Sequence, residues 1–99
     1  MTLGGSIILS GFKDVDRATM VVVKKMVGNY ARKFSDFTKE ANPLALNMKS
    51  VHSTQQNKVF ELHGKVTAKG KLYTSKVEDR NLFFALDKAL SKLQTEIMK

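Results

Sequence analysis

The hydrophobic period changes twice along the 99-residue chain, and this change limits the folds that the chain can adopt. Between residues 15 and 37, apolar side chains recur at spacings of three and four, as on one face of a helix. Residues 44–77 instead form segments that alternate apolar and polar side chains, as half-buried strands do. A second helical stripe follows Asp79, and an apolar, glycine-flanked stretch from Leu3 to Phe12 opens the chain. The predicted order is therefore strand, helix, three strands, helix.

This order predicts one particular layer arrangement. Each helix has a single apolar stripe, so both helices can pack on the same face of one sheet. A right-handed crossover makes the first two strands parallel, and hairpins make the later strands antiparallel. We therefore expect an α+β fold, a single β-α-β-β-β-α domain over residues 1–99 with a four-stranded mixed sheet and two helices on one face. The other face of the sheet would be open to solvent or to a partner.

Local signals place the boundaries of these elements. Asp14 or Asp16 can cap the first helix, because a short carboxylate accepts hydrogen bonds from the free N–H groups of a first turn. The polar run over residues 53–57 predicts a hairpin loop, and Lys69-Gly70 predicts a tight turn. The predicted core stripes are Val23, Met26, Val27, Tyr30, Phe34 and Phe37 in the first helix, and Phe83, Leu86, Leu90, Leu93 and Ile97 in the last.

The charge balance points to a polyanionic partner. Seventeen Lys and Arg against nine Asp and Glu give a net charge of +8, which favours nucleic acid or an anionic membrane surface. A membrane fits less well, because the bulky apolar residues are needed to cover the sheet and the cations form no single run. No apolar run is long enough to cross a bilayer and no signal-peptide pattern is present. We therefore expect a cytoplasmic protein that does not attach to membranes.

Sequence motifs for catalysis and cofactor binding are missing. The chain has no Cys, and both histidines, His52 and His63, lie on predicted strands without metal-ligand spacing, so we expect them to face solvent. No G-x-S-x-G elbow, G-x-G-x-x-G loop or Walker loop occurs. The expected protein is not an enzyme and uses no metal, cofactor or small-molecule substrate.

The basic residues of the two predicted helices are sorted by face. On each helix they lie opposite the core stripe, and few acidic residues accompany them. Two adjacent helices would then present roughly parallel rows of cations, which suit RNA because cations that neutralise phosphates release counterions. The alternative is an ordinary solvated surface, on which Lys is common. The predicted RNA-binding cations are Lys25, Arg32, Lys88, Lys92 and Lys99.

Three more residues of these faces, Arg17, Gly28 and Phe84, are candidate RNA contacts. A glycine inside a helix costs about 0.5–1 kcal/mol relative to alanine. Gly28 therefore either admits the backbone of a nucleic acid or is a tolerated flaw or kink. Phe84 either stacks on a base or packs under the preceding loop.

The segment from Glu78 to Gln94 carries a distinct pattern: an acidic pair, Leu82-Phe83, Ala85-Leu86-Asp87 and then Lys92-Leu93. This pattern resembles the last helix of the ribosome hibernation-promoting factor family, whose members include the ribosome-associated inhibitors also called protein Y. In that family the acidic pair precedes a methionine or leucine, an aromatic residue, Ala-Ile-Asp and a later Lys-Leu. Here Arg80-Asn81 is inserted after the acidic pair.

The resemblance implies a stress-related, short-form hibernation factor that lacks the dimerising domain of long members. Such a factor would bind rRNA of the small ribosomal subunit at the decoding channel and block mRNA and tRNA sterically, without chemistry. Carried over by position, Lys92 and Lys99 match basic residues of the family's last helix, whereas Lys25, Arg32 and Lys88 rest on face geometry. We expect a monomer when the protein is free. The alternatives are a general RNA-binding module acting away from the ribosome and a structural protein that oligomerises through its open sheet face.

Overall fold

The computed structural model describes residues 2–3, 7–52 and 58–99; the predicted hairpin loop over residues 53–57 lies outside them. Nearly every described residue up to Ile97 belongs to a helix or strand or to a short connection between two of them. In chain order, the elements are β1 (Thr2–Leu3), β2 (Ile7–Ser10), α1 (Arg17–Thr38), β3 (Leu44–His52), β4 (Lys58–Ala68), β5 (Lys71–Asp79) and α2 (Leu82–Ile97).

The strands form one mixed sheet in the order β1-β2-β3-β4-β5. β2 and β3 are parallel, with Leu9 beside Leu46, and the remaining neighbours are antiparallel. From β2 onward, the predicted β-α-β-β-β-α order and its four-stranded mixed sheet are confirmed. The two-residue strand β1 adds a short antiparallel edge, which the sequence pattern merged with β2 into one apolar stretch.

Side-chain caps define where both helices begin. Asp16, rather than Asp14, caps α1: its carboxylate accepts hydrogen bonds from the backbone N–H of Thr19 at 3.1 Å and from the Thr19 hydroxyl at 2.6 Å. α2 begins at Leu82 and not near Asp79, because β5 continues through Asp79. The Asn81 side chain then accepts the N–H of Phe84 at 3.1 Å and so starts the helix.

A single hydrophobic core joins both helices to one face of the sheet. Phe37 is the exception among the predicted core residues: it is 43% exposed, and the Lys69 ammonium lies 4.8 Å from the centre of its ring. Gly64 on β4 lies under α2, where an added Cβ would come within 2.8 Å of Ser75 Oγ and 3.1 Å of Leu93. The predicted Lys69-Gly70 turn is present, and both residues have positive φ.

Both helices begin at the same end of the sheet. β2, β3 and β5 run in one direction, because β2 is parallel to β3 and two antiparallel steps lead from β3 to β5. α1 follows β2 and α2 follows β5, so the two helices are parallel neighbours. The hydroxyl of Tyr30 on α1 donates a hydrogen bond to Asp87 on α2 at 2.8 Å. This bond links the middle of α1 to the first turns of α2.

Candidate nucleic-acid interface

The outer surface of the two helices carries every cation that the sequence analysis selected. Lys25, Arg32, Lys88, Lys92 and Lys99 are all exposed, as is Arg17. We call this set, with the exposed Phe84 and with Gly28, the helix face. The sheet lies on the other side of the helices, so the helix face is available to a large ligand without any change of fold.

On α1, the two predicted cations lie on one stripe. Lys25 and Arg32 are seven residues apart, which places them two turns and about 10.5 Å from each other along the axis. Neither forms an ion pair with any residue that the structure describes. Gly28 lies between them, and a Cβ added there would meet nothing within 4 Å. The fold therefore does not require a glycine at this position.

The three predicted cations on α2 and just beyond its end differ in their surroundings. Lys88 Nζ contacts Asp79 Oδ2 at 2.8 Å, at the end of β5. Lys99 Nζ lies 3.4 Å from Glu96 Oε2, an exposed pair of the kind that contributes little stability. Lys92 has no acidic partner among the described residues. Sequence spacing identified the face, but not which of its charges are neutralised.

The Asp79 carboxylate ties Lys88 to the start of α2. It accepts the backbone N–H of Asn81 at 2.9 Å as well as the Lys88 ammonium. These contacts, the backbone hydrogen bond first and Lys88 second, hold the pKa of Asp79 below its ordinary value. Lys88 is therefore a partly neutralised cation that also supports the local structure.

The sequence predicted roughly parallel rows of cations on the two helices, and one contact between the helices relates these rows. The Tyr30–Asp87 hydrogen bond places these two residues next to each other. Arg17 and Lys25 precede Tyr30 on α1 and Arg32 follows it, whereas Lys88 and Lys92 of α2 follow Asp87. Ile97, the last residue of α2, lies about 15 Å beyond Asp87 along the helix axis, and Lys99 comes two residues later. The cations thus form one band that extends from the start of α1 to just beyond the end of α2.

Apolar side chains interrupt this band near the start of the helices. Phe84 is 62% exposed, so it does not pack under the preceding loop. Val21 and Val22 of α1 are also exposed large apolar residues. Lys33 was not among the predicted contacts: its ammonium lies 5.1 Å from the ring centre of Tyr30, and the spacing of three residues on one helix is the sequence signal for this pair.

The open face of the sheet has a different charge pattern. Lys49, Lys65 and Lys76 lie on it beside the acidic Glu61 and Glu78. Glu61 Oε1 lies 2.5 Å from His63 Nε2 and 4.0 Å from Lys76 Nζ. The hydrogen bond with His63 is the main reason why the pKa of Glu61 is below its ordinary value.

The two histidines were expected to face solvent. The side chain of His63 is 38% exposed on the open sheet face. The side chain of His52 lies outside the described part of the chain. Among the residues that the structure describes, no group of three or more His, Cys, Asp or Glu could hold a metal ion. No helix in the described ranges is long and apolar enough to cross a membrane.

Comparison with known proteins supports this fold assignment through structure rather than sequence. No protein-family model and no curated protein sequence matches the chain. The N-terminal domain of Thermus thermophilus protein Y matches with a TM-score of 0.59 and 18% identity, over 92% of this chain and 91% of that one. A ribosomal subunit interface protein from Coxiella burnetii matches with a TM-score of 0.52 and 13% identity, over 93% and 92% of the two chains. The fold implied by the family resemblance is confirmed.

Proposed function

We propose that the protein is a ribosome hibernation factor. It binds rRNA of the small ribosomal subunit at the decoding channel and excludes mRNA and tRNA by occupying their space. The observation that carries this proposal is the band of cations on the helix face, in which Arg17, Lys25, Arg32 and Lys92 have no acidic partner among the described residues. Cations without acidic partners gain most from phosphate contacts, because binding does not first break an ion pair.

Two further observations support the proposal. Two solved structures that share this fold over nearly the whole chain are the N-terminal domain of a protein Y and a ribosomal subunit interface protein. The closing helix also shows the family-like pattern of Phe83, Ala85-Leu86-Asp87 and Lys92-Leu93. The proposed mechanism needs no catalytic group, cofactor or small-molecule substrate. The protein would act in the cytoplasm and would be a monomer when free.

Sedimentation with purified ribosomal subunits tests the proposal. The tagged protein should migrate with the small subunit at low salt, and much less with the large subunit. Adding it to small subunits should also reduce the binding of tRNA to the decoding site. Protein that stays at the top of the gradient with either subunit would refute the proposal.

Competition with a second RNA distinguishes a ribosome hibernation factor from a general RNA-binding module. A structured RNA unrelated to the ribosome, of similar length to the contacted rRNA segments, serves as the competitor. Under the proposal this competitor should displace the protein from small subunits only at much higher concentration. Equal displacement by both RNAs would favour a module that acts away from the ribosome.

A further inference from the structure

A cavity of about 560 Å³ lies at the end of the sheet where both helices begin. Its size falls within the range of small-ligand sites. The walls come from the loop before α1, the strands β3 and β4, and the turn before α2. Two phenylalanines, Phe60 and Phe83, line the cavity, and both are partly buried against the core. The cavity therefore offers aromatic surface that a flat ligand can contact.

The polar groups of the cavity fall into two kinds. Asp16 and Asn81 are already used, because each caps a helix through a backbone N–H. Asp14 and Arg80 are exposed residues lining the same cavity, and neither side chain forms an ion pair among the described residues. The cavity thus has one available carboxylate acceptor and one available guanidinium donor.

The aromatic wall, the carboxylate and the guanidinium together indicate which kind of ligand fits the cavity. A flat ring system with N–H donors on one edge and an anionic group at a distance would use the aromatic wall, Asp14 and Arg80 at once. A nucleotide has this layout. Among the bases, guanine offers two neighbouring N–H donors to a carboxylate, whereas uracil offers one N–H between two carbonyl oxygens that a carboxylate repels. Guanine is therefore the base that fits best.

We propose that this cavity binds an unpaired guanine nucleotide of the bound RNA. The base packs against Phe60 and Phe83, its Watson–Crick edge meets Asp14, and its phosphate meets Arg80. This inference rests on the proposed RNA-binding function and adds base recognition to it, because phosphate contacts alone carry no sequence information. Arg17 is the first residue of α1 and lies at this same end. An RNA strand that follows the band of cations therefore reaches the cavity. Proteins commonly read unpaired RNA bases in this way, by stacking and by contacts to the base edges.

Titration of the isotope-labelled protein with GMP, AMP, CMP and UMP, followed by NMR, tests the inference directly. GMP should shift the amide signals of cavity residues, among them Gly11 and Phe83, and should bind at least fivefold more tightly than UMP. Asp14→Asn should remove most of this preference. Ser50→Phe, at an exposed lining position, should block the cavity for all four nucleotides. Asp36→Asn, an equal charge change at an exposed position outside the cavity, is the control.

Equal binding of the four nucleotides, or signal changes confined to other surfaces, would overturn the inference. An unchanged GMP preference in Asp14→Asn would overturn it as well. Circular dichroism of each variant shows whether it is folded, and the wild-type ranking of nucleotides needs no variant at all. If GMP binds as expected but small subunits do not, the proposed ribosomal function fails and guanine recognition stands. If small subunits bind but no nucleotide does, only the cavity assignment fails.

Discussion

The helix face and the open face of the sheet both carry lysines, yet they differ in how those charges are balanced. On the sheet, Glu61 contacts His63 and Lys76 within 4.0 Å. On the helix face, Lys88 and Lys99 have acidic partners, but Lys25, Arg32 and Lys92 have none within the described ranges. The comparison teaches that the number of cations on a surface does not by itself mark a phosphate-binding site. What distinguishes the helix face is its larger number of cations without an acidic partner among the described residues: Arg17, Lys25, Arg32 and Lys92, against Lys49 and Lys65 on the sheet.

The largest expected effect is the response of binding to salt. Contact with about five phosphates gives a log–log slope near −4, so a rise from 50 to 200 mM salt should weaken binding by roughly 250-fold. Fluorescence anisotropy with labelled rRNA measures this slope. Lys49→Ala with Lys65→Ala, on the sheet face, should leave it unchanged. A flat response of the wild-type protein would instead point to a protein partner.

Charge reversal separates the two faces most clearly. Arg32→Glu with Lys92→Glu should lower affinity for small subunits about a hundredfold, because each substitution replaces attraction with repulsion and a factor of ten corresponds to about 1.4 kcal/mol. These two residues are better choices than Lys88, whose replacement also breaks its contact with Asp79. Sedimentation binding curves provide the measurement.

The matched control for this experiment is Lys49→Glu with Lys65→Glu on the sheet face, which changes the net charge equally. It should lower affinity less than tenfold. Equal losses in the two double variants would mean that net charge explains binding and that the helix face has no special role. A loss in the sheet variant alone would place the RNA on the sheet.

A substitution at Gly64 tests how closely α2 packs on the sheet. Gly64→Ala should lower the free energy of unfolding by about 1–3 kcal/mol, because its Cβ would crowd Ser75 Oγ and Leu93 below α2. Ser75 Oγ is buried and has no hydrogen-bond partner among the described residues, so adding Ser75→Ala should restore part of the loss. Urea denaturation measures both variants. No recovery in the double variant would show that the contact with Leu93 causes the loss.

A substitution at Gly28 separates an effect on the stability of α1 from an effect on RNA binding. Gly28→Ala should raise the free energy of unfolding by about 0.5–1 kcal/mol, because the Cβ meets open space in a helix. If RNA backbone approaches between Lys25 and Arg32, the same substitution should weaken RNA binding severalfold. A more stable variant with unchanged affinity would identify Gly28 as a tolerated flaw.

The smallest expected effect is a difference in acid sensitivity. The pKa values of Asp79 and Glu61 are both lowered in the folded protein, so the stability from each is present above its ordinary value, 3.8 and 4.5. It is lost as the pH falls below that value and through the folded pKa. Asp79→Asn should flatten the acid-unfolding curve below pH 3.8, and Glu61→Gln should flatten it from pH 4.5 downward. Identical curves for wild type and both variants would contradict these assignments.

Local signals in the sequence were enough to predict most of the fold. The helical stripe that contains Val27 and Phe34 and the alternation that contains Leu44 and Leu46 each depend on a few neighbouring residues. The parallel pairing of β2 with β3 then followed from general rules of chain connection. The exposure of Phe37 could not be predicted in this way, because Lys69 approaches it from a distant turn.

The sequence was enough to predict which sides of the helices carry the candidate site. It was not enough to predict how the two helices are placed relative to each other or where a cavity forms. Helical spacing predicted that Lys25 and Arg32 lie on one side of α1. The hydrogen bond that relates α1 to α2 joins Tyr30 and Asp87, which are 57 residues apart in sequence. The cavity at the start of both helices is built from four separate chain segments, so no local motif reports it.

The shared starting end of α1 and α2 has an electrostatic consequence for the whole molecule. Each helix carries a macrodipole with about half a positive charge at its N-terminus, and in parallel neighbours these dipoles add instead of cancelling. Arg17 and Arg80 lie at this same end, but the carboxylates of Asp14 and Asp16 lie there too and offset their charge. The backbone N–H groups of the two first turns therefore supply a fixed positive potential at this end that does not depend on the balance of side-chain charges.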